Sequence, residues 1–586
     1  MKPMFNNKWL TRKKFSVVLF VIANSLYNTN AYGEDAGDFY DLVLAGGALK
    51  TCGSFAPKNC IEGTIFDDAK SQNVYEISPE AHVRLQKTSV FNQLTDKNKV
   101  NINSLLRKGY ADGGEQFLSR NEFLKRIDIL AGDSSYSKNL ADDVFFALLD
   151  THERLQEDGN HQRLKEQVNI ARTTSAASRE IYQAFIKQAH LRSAGETPHI
   201  VVVTASSRDP FSVADFYTNI FEELGAKVTW LPISGTLQLA LWLEQLNKSG
   251  CSNIATLRER FGSFDRERVY PDLASIEAEF CRQPSEIVQI INQADGIFFN
   301  GGDQSRTLSA LLTPQQAPSD LLSLIRQRVK AGELVVGGTS AGTAVQGGGV
   351  WADKPIPMLT NGSSENAMAR GVFAKEAPSQ RCSGECVSGL QSSDVTIKGD
   401  GGTGLFSYGL LDTHFSERDR ETRLVMATLF AQQSFGFGVD ETTALLTRFK
   451  DGGADFKVVG AAGVFVVDLQ RSQWQQVQEG KEFTRTIGGI AHYWPAGTQA
   501  SINADGLTVK LPAIVQASHA GDQAKLDGVW RRQMSQNCGT QELLQWQDFD
   551  NKYQVKASNS TQFALSPNEL CGYQSLPFVI HHSMID

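Results

Sequence analysis

Downstream of Gly33 the chain lacks any apolar run long enough to cross a bilayer, which calls for roughly 20 apolar residues, so no stable membrane span is expected there. It is short of positive charge: 57 Lys and Arg stand against 65 Asp and Glu, a formal net charge of −8. A nucleic-acid partner needs clustered Lys and Arg to release counterions, so none is expected. There is no internal repeat, no GxxxxGK[ST] phosphate loop and no HGGG-type oxyanion motif. Metal-ligand spacing is also wanting. Cys382-x-x-x-Cys386 has no second close Cys or His pair, so neither a metal nor any other cofactor is expected.

What is present is an ordinary globular composition, 41% hydrophobic and 21% charged over 586 residues. That length suits several domains, or one domain with large insertions. Lys2, Lys8, Arg12, Lys13 and Lys14 precede the short apolar run FSVVLFVIANSL (15–26), and Ala31-Tyr32-Gly33 supplies small residues at cleavage positions. This reads as an export signal, residues 1–33, cut near Gly33, which sends the protein to the periplasm or outside the cell. Losing those five cations takes the formal charge from −8 to −13. The eight cysteines fall into neighbouring couples, Cys52/Cys60, Cys251/Cys281, Cys382/Cys386 and Cys538/Cys571. Of the 105 connectivities that eight cysteines allow, the sequential one is the simplest, and four disulfides are expected.

The apolar pattern gives an α/β rhythm. YDLVLAGGALK (40–50), HIVVVTAS (199–206), ADGIFFNGGDQ (294–304) and ELVVGGTSAG (333–342) read as strands running into turns of glycine or other small residues. Helical stretches such as LLSLIRQRVKAG (321–332) lie between them. This predicts a mostly parallel sheet with helices on both faces and ligands at the carboxyl ends of its strands. Residues 51–196 carry helical periodicity and read as an insertion, and after about residue 510 the rhythm fades into what reads as a small appendage, 511–586. The catalytic domain is then 34–50 with 197–510.

Gly338-Thr339-Ser340-Ala341-Gly342 satisfies G-x-S-x-G between a strand and a helix, the context of a nucleophile elbow. Small neighbours let the serine occupy a strained turn, and the N–H of Ala341 then faces a forming oxyanion. Beyond Ser340 the histidines are His414, His492, His519, His581 and His582. His414 follows the apolar run GLLDT, where a strand end would deliver it to the same sheet edge. Asp440 and Glu441 close another such run, and the residues alone leave open which of them orients the imidazole. An α/β-hydrolase esterase runs serine, acid, histidine. Asp440 with His492 would restore that order but would leave Asp412-Thr413-His414 unexplained.

Taken in order, GGDQ (301–304), GGTSAG (337–342), DTHFSERDRETRL (412–424) and GVDETTAL (438–445) resemble the blocks of the cyanophycinases and their smaller relative, dipeptidase E. The resemblance covers roughly 42–50 and 198–500, with insertions near 235–290 and 352–402. It implies a glutamine-amidotransferase-like, flavodoxin-like α/β fold and a serine peptidase with Ser340, His414 and Glu441 as its triad. It also implies oxyanion donors on the backbone of Gly302 and Ala341, and a peptide substrate such as cyanophycin, a polyaspartate bearing arginines. Arg418, Arg420 and Arg423 match the family's arginine block, suited to bidentate pairing with carboxylates, although alternating charges are also the pattern of a solvated helix face. Gln304 matches the pocket glutamine and Asp412 the acid before the histidine. Thr413 stands where the family carries glutamine, which removes an amide able to hydrogen-bond substrate or shape the pocket. Family members are often dimers, so the resemblance allows a homodimer. Two other readings fit the residues: an esterase or peptidase of different specificity, and a catalytically silent binding protein on the same fold.

Overall fold

A computed structural model describes residues 39–111, 115–349, 355–479, 482–512, 527–565 and 570–585. The expected export signal lies outside these residues.

Five parallel strands form the centre, in the order Leu42–Ala45, Val335–Thr339, Gly296–Phe299, His199–Val203 and Lys227–Leu231. On the other flank Thr443–Lys450 runs antiparallel to Leu42–Ala45, and Gly453–Gly460, Gln499–Asn503 and Gly506–Lys510 extend the sheet to nine strands. The protein is thus α/β, with its large sheet parallel at the centre.

The inner strands are buried on both faces, which is why they read as unbroken apolar runs. Alternate residues go to opposite sides: Leu42, Leu44, Val201, Val203 and Phe299 face one core, and Val43, Ile200, Val202 and Phe298 the other. Helix Ala176–His190 covers the second face. Its Phe185 fits because Gly296 and Gly337 have no side chain; a Cβ on either would lie 2.9 Å or 2.6 Å from the ring. The segment read as an insertion therefore ends in a helix of the main core. Burying one such phenylalanine contributes up to about 3 kcal/mol.

The rest of that segment packs helices Pro79–Lys87, Asp96–Ala111, Arg120–Ala131 and Asp142–His152 around Leu106, Phe123, Ile127 and Leu149. Ser119 and Glu122 form a capping box that starts Arg120–Ala131, and Gly132, left-handed, ends it. Buried ion pairs fasten this unit to the sheet: Arg208 to Asp150 at 2.7 Å, and Arg266 to Glu153 at 2.9 Å and to Asp209 at 2.7 Å.

A second sheet begins with Leu410–Thr413 beside Phe435–Val439, in parallel, and continues antiparallel through Gly463–Glu479 and Glu482–Pro495. The C-terminal region is woven into it rather than hung from it, as the fading rhythm had suggested. Cys571–Ile585 pairs with Glu482–Pro495 from Glu482↔Ile585 to Tyr493↔Tyr573, and Asn551–Val555 pairs outside it. The α/β rhythm fades there because the strands alternate, with Leu576, Phe578 and Ile580 inward.

All four expected disulfides form, with Cα–Cα separations of 4.5, 5.6, 5.9 and 5.4 Å in chain order. Four such bonds point to an oxidising environment. Among the described residues, no helix is long and apolar enough to cross a membrane.

Candidate active site

Ser340 directly follows strand Val335–Thr339 and precedes the short helix Ala341–Ala344. Its φ of 54° and ψ of −116° are strained for a residue with a side chain, at a cost of about 1–3 kcal/mol. Local bonds hold the strain: the Ser340 amide donates to the Ala45 carbonyl at 3.0 Å. The Thr343 hydroxyl bonds to the carbonyls of Ala45 at 2.7 Å and Gly338 at 2.9 Å. Both flanking glycines are obligatory. A Cβ on Gly338 would lie 2.3 Å from the Gly342 carbonyl oxygen, and one on Gly342 would lie 2.1 Å from that of Phe299.

His414 sits at the end of strand Leu410–Thr413 with φ 46°, its amide donating to the Gly46 carbonyl at 2.8 Å. The imidazole lies over Gly47, where a Cβ would come within 2.4 Å of Cε1. Nε2 is 2.7 Å from Ser340 Oγ, and Nδ1 is 2.7 Å from Glu441 Oε1. With the proton on Nδ1 the neutral ring donates to Glu441 and accepts from the serine hydroxyl. Burial is the largest influence on the imidazole and lowers its pKa below the ordinary 6.5; Arg418 and Arg420 act in the same direction, against Glu441. The hydrogen bond from His414 is what most lowers the pKa of Glu441.

Asp440, the neighbouring acid, points elsewhere. It is fully buried and accepts from the Ser416 amide at 2.9 Å, the Tyr493 hydroxyl at 2.7 Å and Arg531 at 3.0 Å. His492 is buried as well and takes the Ser575 amide on Nδ1 at 3.2 Å. Burial pushes its pKa down to about 4. The histidine bonded to Ser340 is His414.

The GGDQ turn lies against the serine. A Cβ on Gly301 would sit 3.3 Å from Ser340 Cβ, and Gly302, at φ +146°, comes so close to Ser206 that a Cβ would be 2.3 Å from its carbonyl oxygen. Asn300 ties the turn down by accepting the Ser206 amide at 3.1 Å and donating to Ser207 Oγ at 2.8 Å. Gln304 spends its amide on the carbonyls of Leu359 at 2.8 Å and Thr360 at 3.3 Å, holding strand Met358–Asn361 of the second insertion.

The three arginines differ. Arg423 is buried and grips Asp412 with two donors, at 3.0 Å and 2.7 Å, while a third meets the Gly362 carbonyl at 2.6 Å. Asp412 and Arg423 thus neutralise each other beneath the site, instead of facing a ligand as their motif suggested. Helix Glu421–Phe430 begins with buried Glu421, Thr422 and Arg423, so the solvated-face reading does not hold for it. Arg420 donates to the Thr413 carbonyl at 2.5 Å and approaches Asp412 at 3.3 Å; burial is the main reason its pKa falls to about 9. Arg418 is exposed and, among the described residues, has no ion-pair partner. Thr413 is buried, its amide donating to Asp412 at 2.8 Å.

A cavity of about 1020 Å³ opens beside Gly302, between the helical segment and residues 360–399, and Arg120, Arg306, Lys375 and Lys398 line it. Among the described residues, no group of three or more His, Cys, Asp or Glu is arranged to hold a metal. Sequence reasoning missed four residues of the site: Gly47, Asn300, Glu417 and Arg531. Gly47, Asn300 and Glu417 lie within stretches that were read, without a role assigned to them. Arg531 shows only in three dimensions.

Residues 275–365 match the model of peptidase family S51. The chain is also similar to the cyanophycinase of Geminocystis herdmanii, 26% identical over 295 residues, covering 50% of this chain and 78% of that protein. The cyanophycinase of a Nostoc species is 26% identical over 290 residues, covering 50% of this chain and 68% of the relative. That of Synechococcus elongatus is 27% identical over 277 residues, 47% and 61% of the two chains. Fold and family match together define a serine-type peptidase. Within that class the chain is cyanophycinase-like, with the S51 match confined to residues 275–365.

Proposed function

We propose that the chain is an exported serine exopeptidase that hydrolyses cyanophycin or a related β-aspartyl peptide through an acyl-enzyme. The observation that carries this reading is the unbroken line of hydrogen bonds from Ser340 through His414 to Glu441, each 2.7 Å long. His414 Nε2 takes the hydroxyl proton as Ser340 Oγ attacks the amide carbonyl, and Glu441 stabilises the imidazolium that forms. The tetrahedral oxyanion is held by the N–H groups of Gly302 and Ala341. His414 then protonates the leaving amine, and water, deprotonated by the same nitrogen, releases the acid and restores Ser340. Arg418, exposed near the imidazole, is suited to receive an aspartyl carboxylate, while Asp412 and Arg423 hold Arg420 and Thr413 in place. The cavity beside Gly302 gives the rest of the peptide room. The names of the relatives supply the substrate class, and the basic, apolar start of the chain supports export.

The test is to incubate purified protein with cyanophycin and with a series of β-aspartyl dipeptides, and to identify the products by mass. Release of β-Asp-Arg by the wild type, and none by a folded Ser340→Ala variant, is expected. Activity of that variant equal to wild type would remove Ser340 from the mechanism. Cleavage of other peptides or esters alone would move the specificity elsewhere.

A further inference from the structure

The acid end of the hydrogen-bonded line is anchored from the C-terminal region, which the family resemblance does not reach. Arg531 lies on helix Val529–Gln536 and is buried, with 3% of its side chain exposed. One of its terminal nitrogens meets two carboxylates, Glu417 Oε1 at 2.6 Å and Asp440 Oδ2 at 3.0 Å. The other oxygen of Glu417 accepts the backbone N–H of Glu441 at 3.0 Å. A direct path of charge-assisted bonds therefore runs from Arg531 through Glu417 to the main chain of the residue bonded to His414.

The helix is seated for this contact. Gly528, at φ +89°, descends onto Ser416 so closely that a Cβ would be 2.1 Å from the Ser416 carbonyl oxygen. Trp530 beside it donates to the Tyr573 hydroxyl at 2.9 Å and packs edge-on against Phe465. The same pocket of groups holds Tyr493, bonded to Asp440 at 2.7 Å, and the buried Glu421. Without Arg531, two buried carboxylates would face each other with no cation between them, a costly arrangement relieved by protonation or movement.

We infer that Arg531 is a positioning residue for catalysis: by holding Glu417, it fixes the backbone of Glu441 and so the orientation of His414. This rests on the reading of Ser340, His414 and Glu441 as the reacting set, so the test needs no knowledge of the natural substrate. A fluorophosphonate probe labels an activated serine when Oγ bonds to phosphorus, fluoride leaves and the histidine takes the hydroxyl proton. The labelling rate would be measured for wild type, Arg531→Met, Arg531→Lys, Glu417→Gln and the double variant Glu417→Gln/Arg531→Met, with melting followed in parallel.

Arg531→Met is expected to label about tenfold more slowly while still melting cooperatively, and Arg531→Lys to recover most of the rate. A neutral amide at 417 still accepts the Glu441 N–H and needs no cation beside it. The double variant is therefore expected to lose much less than the product of the two single losses. A purely structural role for Arg531 predicts no such non-additivity. Labelling of Arg531→Met at the wild-type rate, or strictly additive losses, would overturn the inference alone. A wild-type protein that does not label would overturn the reading of Ser340, and this inference with it.

Discussion

The two sides of His414 are held by different means. On the serine side the constraints are short in sequence or made of bare backbone: Gly338, Gly342 and Thr343 hold the turn, and Ala45 on the adjacent strand takes the Ser340 amide. On the acid side they come from side chains far along the chain. Glu417 reaches Glu441 across 24 residues, and Arg531 reaches Asp440 across 91. The first side depends on the absence of atoms, the second on buried charge. Steric constraints act at a few tenths of an ångström and tolerate no substitution; charged ones act by balance and tolerate an exchange that preserves it.

The sharpest way to break this contrast is at the paired acids. Glu441→Gln is expected to lower turnover on the order of 10⁴-fold with little change in melting temperature, because it disturbs the imidazole and not the fold. Asp440→Asn is expected to do the opposite in kind: Arg531 keeps Glu417 as its counter-charge, but the buried bonds from Ser416, Tyr493 and Arg531 are weakened, at a cost of about 1–3 kcal/mol of stability. Steady-state rates and thermal melts of the two variants decide it. A melting loss confined to Glu441→Gln would exchange their roles.

Next comes the floor under the imidazole. Gly47→Ala would set a methyl group 2.4 Å from His414 Cε1, at a φ of +115° that a side chain already strains. The ring must move off Ser340, and turnover is expected to fall on the order of 10²-fold. Full activity in this variant would show that the glycine is not needed there.

The smallest effect tests the electrostatics at the rim. In the proposed mechanism neutral His414 is the base, so labelling or turnover is expected to rise with pH through the imidazole pKa, which burial, Arg418 and Arg420 hold below 6.5. Removing a cation favours the protonated ring. Arg418→Gln is thus expected to move the acid limb upward, toward 6.5, by less than about one unit. An unchanged or lowered limb would mean that Arg418 does not act on His414.

Much of the fold was legible because its signals are local. Runs such as HIVVV, buried at every position, can only be inner strands, and the glycine turns after them mark the sheet edge where the site lies. The cysteine couples were legible because closing a short loop is the simplest pairing. The C-terminal strands were less legible: alternating apolar residues state that a strand exists but not which sheet receives it.

At the site, the order of motifs in the sequence brought Ser340, His414 and an acid at 440–441 together, but not on the one sheet edge expected. Ser340 follows a strand of the nine-stranded sheet, whereas His414 and Glu441 follow neighbouring strands of the second sheet, which local patterns do not distinguish. Residue chemistry left open which acid meets the imidazole, since Asp440 and Glu441 are adjacent and alike; the resemblance implied Glu441, and the tertiary structure sets that side chain against His414. It also separated the arginines, burying Arg423 against Asp412 and leaving Arg418 at the surface. The physical reason is the same in both cases. A side chain's role depends on the direction in which it leaves the backbone and on the charges it meets. Those partners, Arg531 foremost, lie on segments whose arrival no local pattern records.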